Sequence, residues 1–238
     1  MLRAISLASV FVVFGSVLFG HAVEPAAEKS PLKPEFSEQL LKISQEYESY
    51  GRVDDIVRRA PALCAAPSLP KPAAARVSGS GDLKTHGQKL YYLFAKDSRE
   101  YLNYDPKGAS PLAKVKNDVP HPVGTVIVKE AWIPEKVPAD TPQTAIDNVA
   151  NQAPNGPRPA TFDKVMPFAK IGDDLFHAKE KASLFVMYKL AADTPDTDQG
   201  WVYGTVSADG KTVTSAGKVQ SCMECHEKAT RDRLFGMK

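Results

Sequence analysis

Cys222, Cys225 and His226 stand together in Cys222-Met223-Glu224-Cys225-His226, and their types and spacing can do a narrow set of chemistries. Two thiols three residues apart fall on one side of a helical turn. Each can form a thioether to a vinyl group of one haem, and the adjacent histidine then lies under the iron as its axial nitrogen ligand. Two rival chemistries use the same residue types. Zinc needs two more Cys or His ligands in a recognisable arrangement, and a redox dithiol has no need of the following histidine. The expectation is therefore a single, covalent haem c.

The place of this motif matters as much as its spelling. Only 12 residues follow His226, so nearly every candidate for the sixth iron position comes from upstream: Met166, Met187, His86, His121 or His177. Each has a plainer reading. Met187 lies in an apolar strand and suits a core, and the histidines suit surface or hydrogen-bonded positions. The default is then an iron that is five-coordinate or water-ligated, which binds or transforms small molecules.

The elements that must position this motif are mostly strands. Leu90 to Phe94 and Leu184 to Tyr188 are apolar and aromatic runs, and Gly124 to Trp132 alternates, with Thr125, Ile127, Lys129 and Ala131 on one face. Trp201–Val206 and Lys211–Thr214 flank Ala208-Asp209-Gly210, a hairpin signal. Phe36, Leu40, Ile43 and Tyr47 recur at helical spacing within Glu35 to Tyr50, and a second short helix is expected over Val53 to Arg59. Asp97 to Tyr104 suits one or two helical turns, and residues 133–160, rich in Pro and Asn, a surface excursion. The sum is an α+β fold on an antiparallel β-sheet, with flanking helices and a C-terminal haem-attachment helix.

The chain divides into a signal peptide over 1–22, a disordered start with a helical arm and Pro/Ala-rich linker over 23–84, and a haem domain over 85–238. Arg3, the apolar run Ala4 to Gly20 and Gly20-His21-Ala22 support cleavage and export to the periplasm, with a retained anchor as the competing reading. Three cysteines exclude a pure disulfide framework; Cys64 suits a small buried side chain better than an intermolecular disulfide. A hydrophobic fraction of 43% supports a real core, and a net charge of +2 argues against nucleic acid as a partner.

From Gly124-Thr125-Val126-Ile127-Val128-Lys129-Glu130, the aromatic strands around Leu184 to Tyr188 and Trp201 to Val206, the late haem motif and Phe235, the sequence resembles the cytochrome P-460 family, which includes the β-type cytochromes c-prime. The resemblance covers roughly residues 85–238. It implies a twisted antiparallel sheet, usually a homodimer, with the haem packed against it. It implies that Lys129 matches the strand lysine that the P-460 enzymes join covalently to the haem edge. Those enzymes oxidise hydroxylamine, with nitric oxide chemistry at the same iron; the first reading of this chain is that chemistry, with electrons passed to a small redox partner. The c-prime-like relatives lack the linkage and bind nitric oxide or other small gases.

Lys129 shares a strand face with Thr125 and Ile127, so it can point toward a buried haem, and a desolvated lysine readily becomes a neutral amine able to bond to carbon. The plainer reading is a strand-end lysine whose amine reaches water or an acid. Hydroxylamine oxidation also wants a proton acceptor, for which Asp163, Asp173, Asp174 and Glu130 are candidates only as carboxylates near strands. Arg231 and Arg233 can meet haem propionates, although a solvated helix face is the plainer fate. A plain electron carrier with a sixth protein ligand is the third reading.

Overall fold

The computed structural model describes residues 32–53, 57–59, 78–79, 89–97, 100–101, 119–152, 167–171, 173–229 and 231–236. Eight strands make one sheet: β1 (Arg58–Arg59), β2 (Ser78–Gly79), β3 (Leu90–Ala95), β4 (Val126–Lys136), β5 (Phe168–Ile171), β6 (Asp174–Lys189), β7 (Trp201–Ser207) and β8 (Val213–Gly217). Among the described residues the α-helices with stated bounds are α1 (Pro34–Glu46), α2 (Gln143–Gln152) and α3 (Gln220–His226). The fold is α+β, as the sequence implies.

β4 lies between β3 and β6, both antiparallel to it. The far edge of β6 is shared: β5 pairs with Asp174–His177 and β7 with Ser183–Lys189. β8 continues from β7 through the turn at Gly210, whose φ of +73° suits glycine. Among the described residues only β2 and β5 pair in parallel.

Alternation along the central strands sorts the core into two layers. On one face, Val126, Val128, Leu184, Val186, Tyr188, Val202 and Val206 pack under Phe36, Leu40 and Ile43 of α1 and Tyr47 of the 3-10 turn that follows it. Burying each such apolar side chain of α1 contributes about 1.5–3 kcal/mol, which holds the helix to the sheet. Gly204 permits the approach, since a Cβ there would meet Leu40 Cδ1 at 2.4 Å. On the other face, Tyr91, Leu93, Ile127, Met187, Trp201 and Tyr203 pack with Leu234 and with Val219, Cys222 and Met223 of the C-terminal segment. Each face of the sheet thus takes one terminal helix.

Some elements differ from the sequence expectation. Arg58 and Arg59 form β1 instead of ending a helix, because they pair with Tyr91 and Leu90. β4 runs on to Lys136 and β6 begins at Asp174, since the charged stretch His177 to Lys181 pairs with Trp132–Glu135 across two register shifts. α2 occupies part of the expected excursion. In the stretch expected to turn helically, Glu100 and Tyr101 are helical. The segment 1–22, Cys64, His86, Asp163 and Met166 lie outside the described residues.

Candidate functional site

β8 ends at Gly217, whose φ of +102° turns the chain into α3 against the second face. Within that helix Cys222 is a partly buried free thiol, whereas Cys225 is buried and disulfide-bonded. Burial pushes the Cys222 thiol up, with a hydrogen bond from Ser221 and the charge of Lys129 acting the other way. A raised thiol is a poor nucleophile at neutral pH, which weighs against a redox dithiol.

His226 closes the helix, and its Nδ1 is 2.7 Å from the carbonyl oxygen of Arg233. A carbonyl only accepts, so Nδ1 carries the proton and Nε2 keeps the lone pair that a metal takes. Burial holds His226 below the ordinary histidine range; the Arg233 hydrogen bond acts against this and Lys129 reinforces it. The neutral, ligating form is therefore favoured. The rings of Tyr203 and Phe235 flank the imidazole at centroid distances of 5.6 and 5.4 Å.

Lys129 comes to the same face from the middle of β4, in register with Leu93 on β3 and Phe185 on β6. Its Nζ lies 4.4 Å from the centre of the Tyr91 ring and 5.8 Å from that of Phe185. Lys89 reaches the other side of the neighbourhood, with Nζ 5.6 Å from the Phe185 ring centre. Burial first, and the charge of Lys89 second, bring Lys129 down to about 8, with Cys222 acting in the opposite direction. The strand lysine, the motif cysteine and the motif histidine thus share one electrostatic neighbourhood.

The other candidates fall elsewhere. Glu130 is buried on the α1 face, where it accepts hydrogen bonds from Tyr47 Oη and, at 2.7 Å, from Trp132 Nε1, and pairs with Lys181 Nζ at 2.9 Å. Asp174 is paired with Lys136, and neighbouring Asp173 lies exposed at the start of β6. His177 stacks on Phe168 in the first half of β6, eight residues from Phe185 and so roughly 26 Å away along the strand. Met187 is core on the Lys129 face, with 7% exposure. His121 is buried, with Nδ1 3.1 Å from Glu100 and its ring edge-on to Trp201.

Neither arginine is on a solvated helix face. Arg231 is buried near Glu100, and Arg233 meets Asp198 at two points, Nε to Oδ2 at 2.7 Å and an η nitrogen to Oδ1 at 2.9 Å. Asp198 also accepts from Tyr203 Oη at 2.8 Å. The sequence gives little warning of Asp198; Gly200, just before an aromatic strand, marks only the turn beside it.

Among the described residues no cluster of three or more His, Cys, Asp or Glu side chains is placed to hold a bare ion. An iron held by His226 would need a group such as a porphyrin to supply its other ligands. The fixed tautomer of His226, the adjacent Cys222 sulfur and an apolar, aromatic sheet face fit that group. Cys225 fits once its disulfide is reduced, since a thioether and a disulfide exclude each other at one sulfur. A model of the family described as Cytochrome P460 matches residues 97–236, more than half of the chain. Among curated proteins nothing matches.

Proposed function

The chain belongs to the cytochrome P460 family of haem-binding, iron-containing cytochromes, and on that premise we propose that it binds and redox-transforms small nitrogen species. In this reading one haem c is attached through Cys222 and Cys225, with His226 as axial ligand, and the substrates are hydroxylamine and nitric oxide. The observation that carries it is the meeting, on one sheet face, of a histidine fixed for ligation and a desolvated lysine.

When bound, the haem supplies an iron with an open position and single-electron changes. His226 offers Nε2 because Arg233 holds Nδ1–H. Tyr91, Phe185 and Tyr203 exclude water and leave an apolar wall, which favours small uncharged ligands over ions. Lys129, as a neutral amine, would be the residue able to join the haem edge, an N–H and a ring C–H giving way to one N–C bond while a peroxide or similar two-electron oxidant takes up the two protons and two electrons. Electrons from substrate leave to a small redox partner protein in the periplasm, and two copies of the chain form the working dimer.

A second reading, capture of nitric oxide without turnover, is favoured by one observation. Of the candidate proton acceptors among the described residues, Glu130 points to the opposite face, and Asp173 and Asp174 sit at the far end of β6.

Tryptic digestion and mass spectrometry of the purified chain test the first reading. A haem-bearing peptide with Cys222 and Cys225 that also carries the Lys129 peptide is expected, together with a strongly red-shifted main band in the reduced spectrum. Hydroxylamine added to oxidised protein should reduce it; no reduction, with nitric oxide still bound, leaves the capture reading. A low-spin spectrum in both oxidation states sinks both.

A further inference from the structure

Two tight turns face each other beside His226. In the first, Gln199 and Gly200, with φ of +52° and +87°, join Asp198 to Trp201, whose backbones exchange hydrogen bonds of 2.9 Å each way. In the second, Asp232 and Arg233, with φ of +36° and +72°, join Arg231 to Leu234, whose N–H donates to the Arg231 carbonyl at 2.8 Å. Residues with side chains occupy the left-handed region only where their surroundings hold them there.

Those surroundings are charged pairs that lace the turns together. Lys189 donates to the Gln199 carbonyl at 2.7 Å and pairs with Asp232 at 3.0 Å, while the His121 backbone N–H reaches Asp232 Oδ2 at 2.7 Å. Asp198, at the base of the first turn, grips the guanidinium of Arg233 in the second by two parallel bonds. The same Arg233 offers its carbonyl to His226 Nδ1–H. A two-point Arg–carboxylate pair fixes direction as well as distance.

We propose that Asp198 is a positioning residue for the axial ligand: by holding Arg233 in its left-handed conformation, it fixes the carbonyl that receives His226 Nδ1–H. The strength of that hydrogen bond sets how much electron density Nε2 gives the iron. A well-held acceptor makes the imidazole a stronger donor and favours the ferric state. The inference rests on the reading of His226 as axial ligand, and it adds the group that controls this ligand from outside the motif.

The test uses the haem-loaded chain and two variants, Asp198→Asn and Arg233→Lys, the second keeping the charge but not the two-point grip. In both, the iron–histidine stretching frequency of the reduced protein should fall and the reduction potential rise, with the larger change in Asp198→Asn. Tyr203→Phe, which keeps the Asp198–Arg233 pair and loses only the hydroxyl that Asp198 also accepts from, should shift the frequency less than Asp198→Asn. Wild-type frequency and potential in either haem-loaded turn variant overturn the proposal, whatever happens to thermal stability. A shift in Tyr203→Phe equal to that of Asp198→Asn also overturns it, because Asp198 then acts through the ring wall. If Asp198→Asn does not accumulate, Arg233→Lys decides alone. A wild-type chain that carries no haem refutes the functional reading instead.

Discussion

Lys129 and Glu130 are neighbours in sequence with opposite surroundings, and the difference is chemical as well as spatial. Glu130 is given donors by Tyr47, Trp132 and Lys181. Lys129 is given two aromatic rings and a second lysine, so its ammonium is only weakly compensated. Its folded value of about 8 lies below the ordinary value of 10.5. Between the two, the unfolded chain holds a proton that the folded site has released, so this group makes stability rise with pH across that window. In a haem-free preparation, labelling of Lys129 by an amine reagent should be half-maximal near pH 8. Labelling that follows the bulk lysines, half-maximal near about 10.4, would refute the desolvation argument. The sheet face of Lys129 is legible because period-two alternation sets it with Thr125 and Ile127. The pairing of Asp198 with Arg233 is not, because ion pairs between residues 35 positions apart leave no local signature.

At the level of elements, α1 is held by one apolar stripe and one close approach. Its spacing of Phe36, Leu40, Ile43 and Tyr47 was readable directly, because helical period survives any tertiary context. Its seat on the sheet was not, since Gly204 inside an aromatic strand signals close approach without naming the partner. Gly204→Ala should force Leu40 off its place and cost about 1–3 kcal/mol in chemical denaturation, with the haem spectrum unchanged. A spectrum altered as much as stability would show that the two faces are not independent. The first half of β6 carries no strand signal of its own: His177 to Lys181 is polar, and its strand form comes from pairing with β4 rather than from its own propensity. α2 is hidden in sequence because the prolines and asparagines around it dominate the local composition.

For the whole molecule the sheet acts as a partition, with the α1 core on one side and the C-terminal motif on the other. Glu130→Ala tests it from the far side. The substitution leaves Lys181 and Trp132 without their shared acceptor and should cost about 3 kcal/mol in denaturant unfolding. Haem content and the reduced spectrum should stay as in the wild type, a result that a site dependent on the Glu130 carboxylate would not give.

Strand alternation also sets which kinds of inherited change this chain can survive. Single replacements on β4 alter one face at a time, so the residues on the face of the C-terminal motif can diversify while the α1 core stays as it is. Loss or gain of one residue between Gly124 and Val128 exchanges the faces of everything after it: Glu130 (on loss) or Val128 (on gain) arrives where Lys129 stood, and Lys129 enters the α1 core. Lineages carrying this sheet should therefore show frequent substitutions in β4 but a fixed count of residues there, with insertions and deletions confined to the connections outside it.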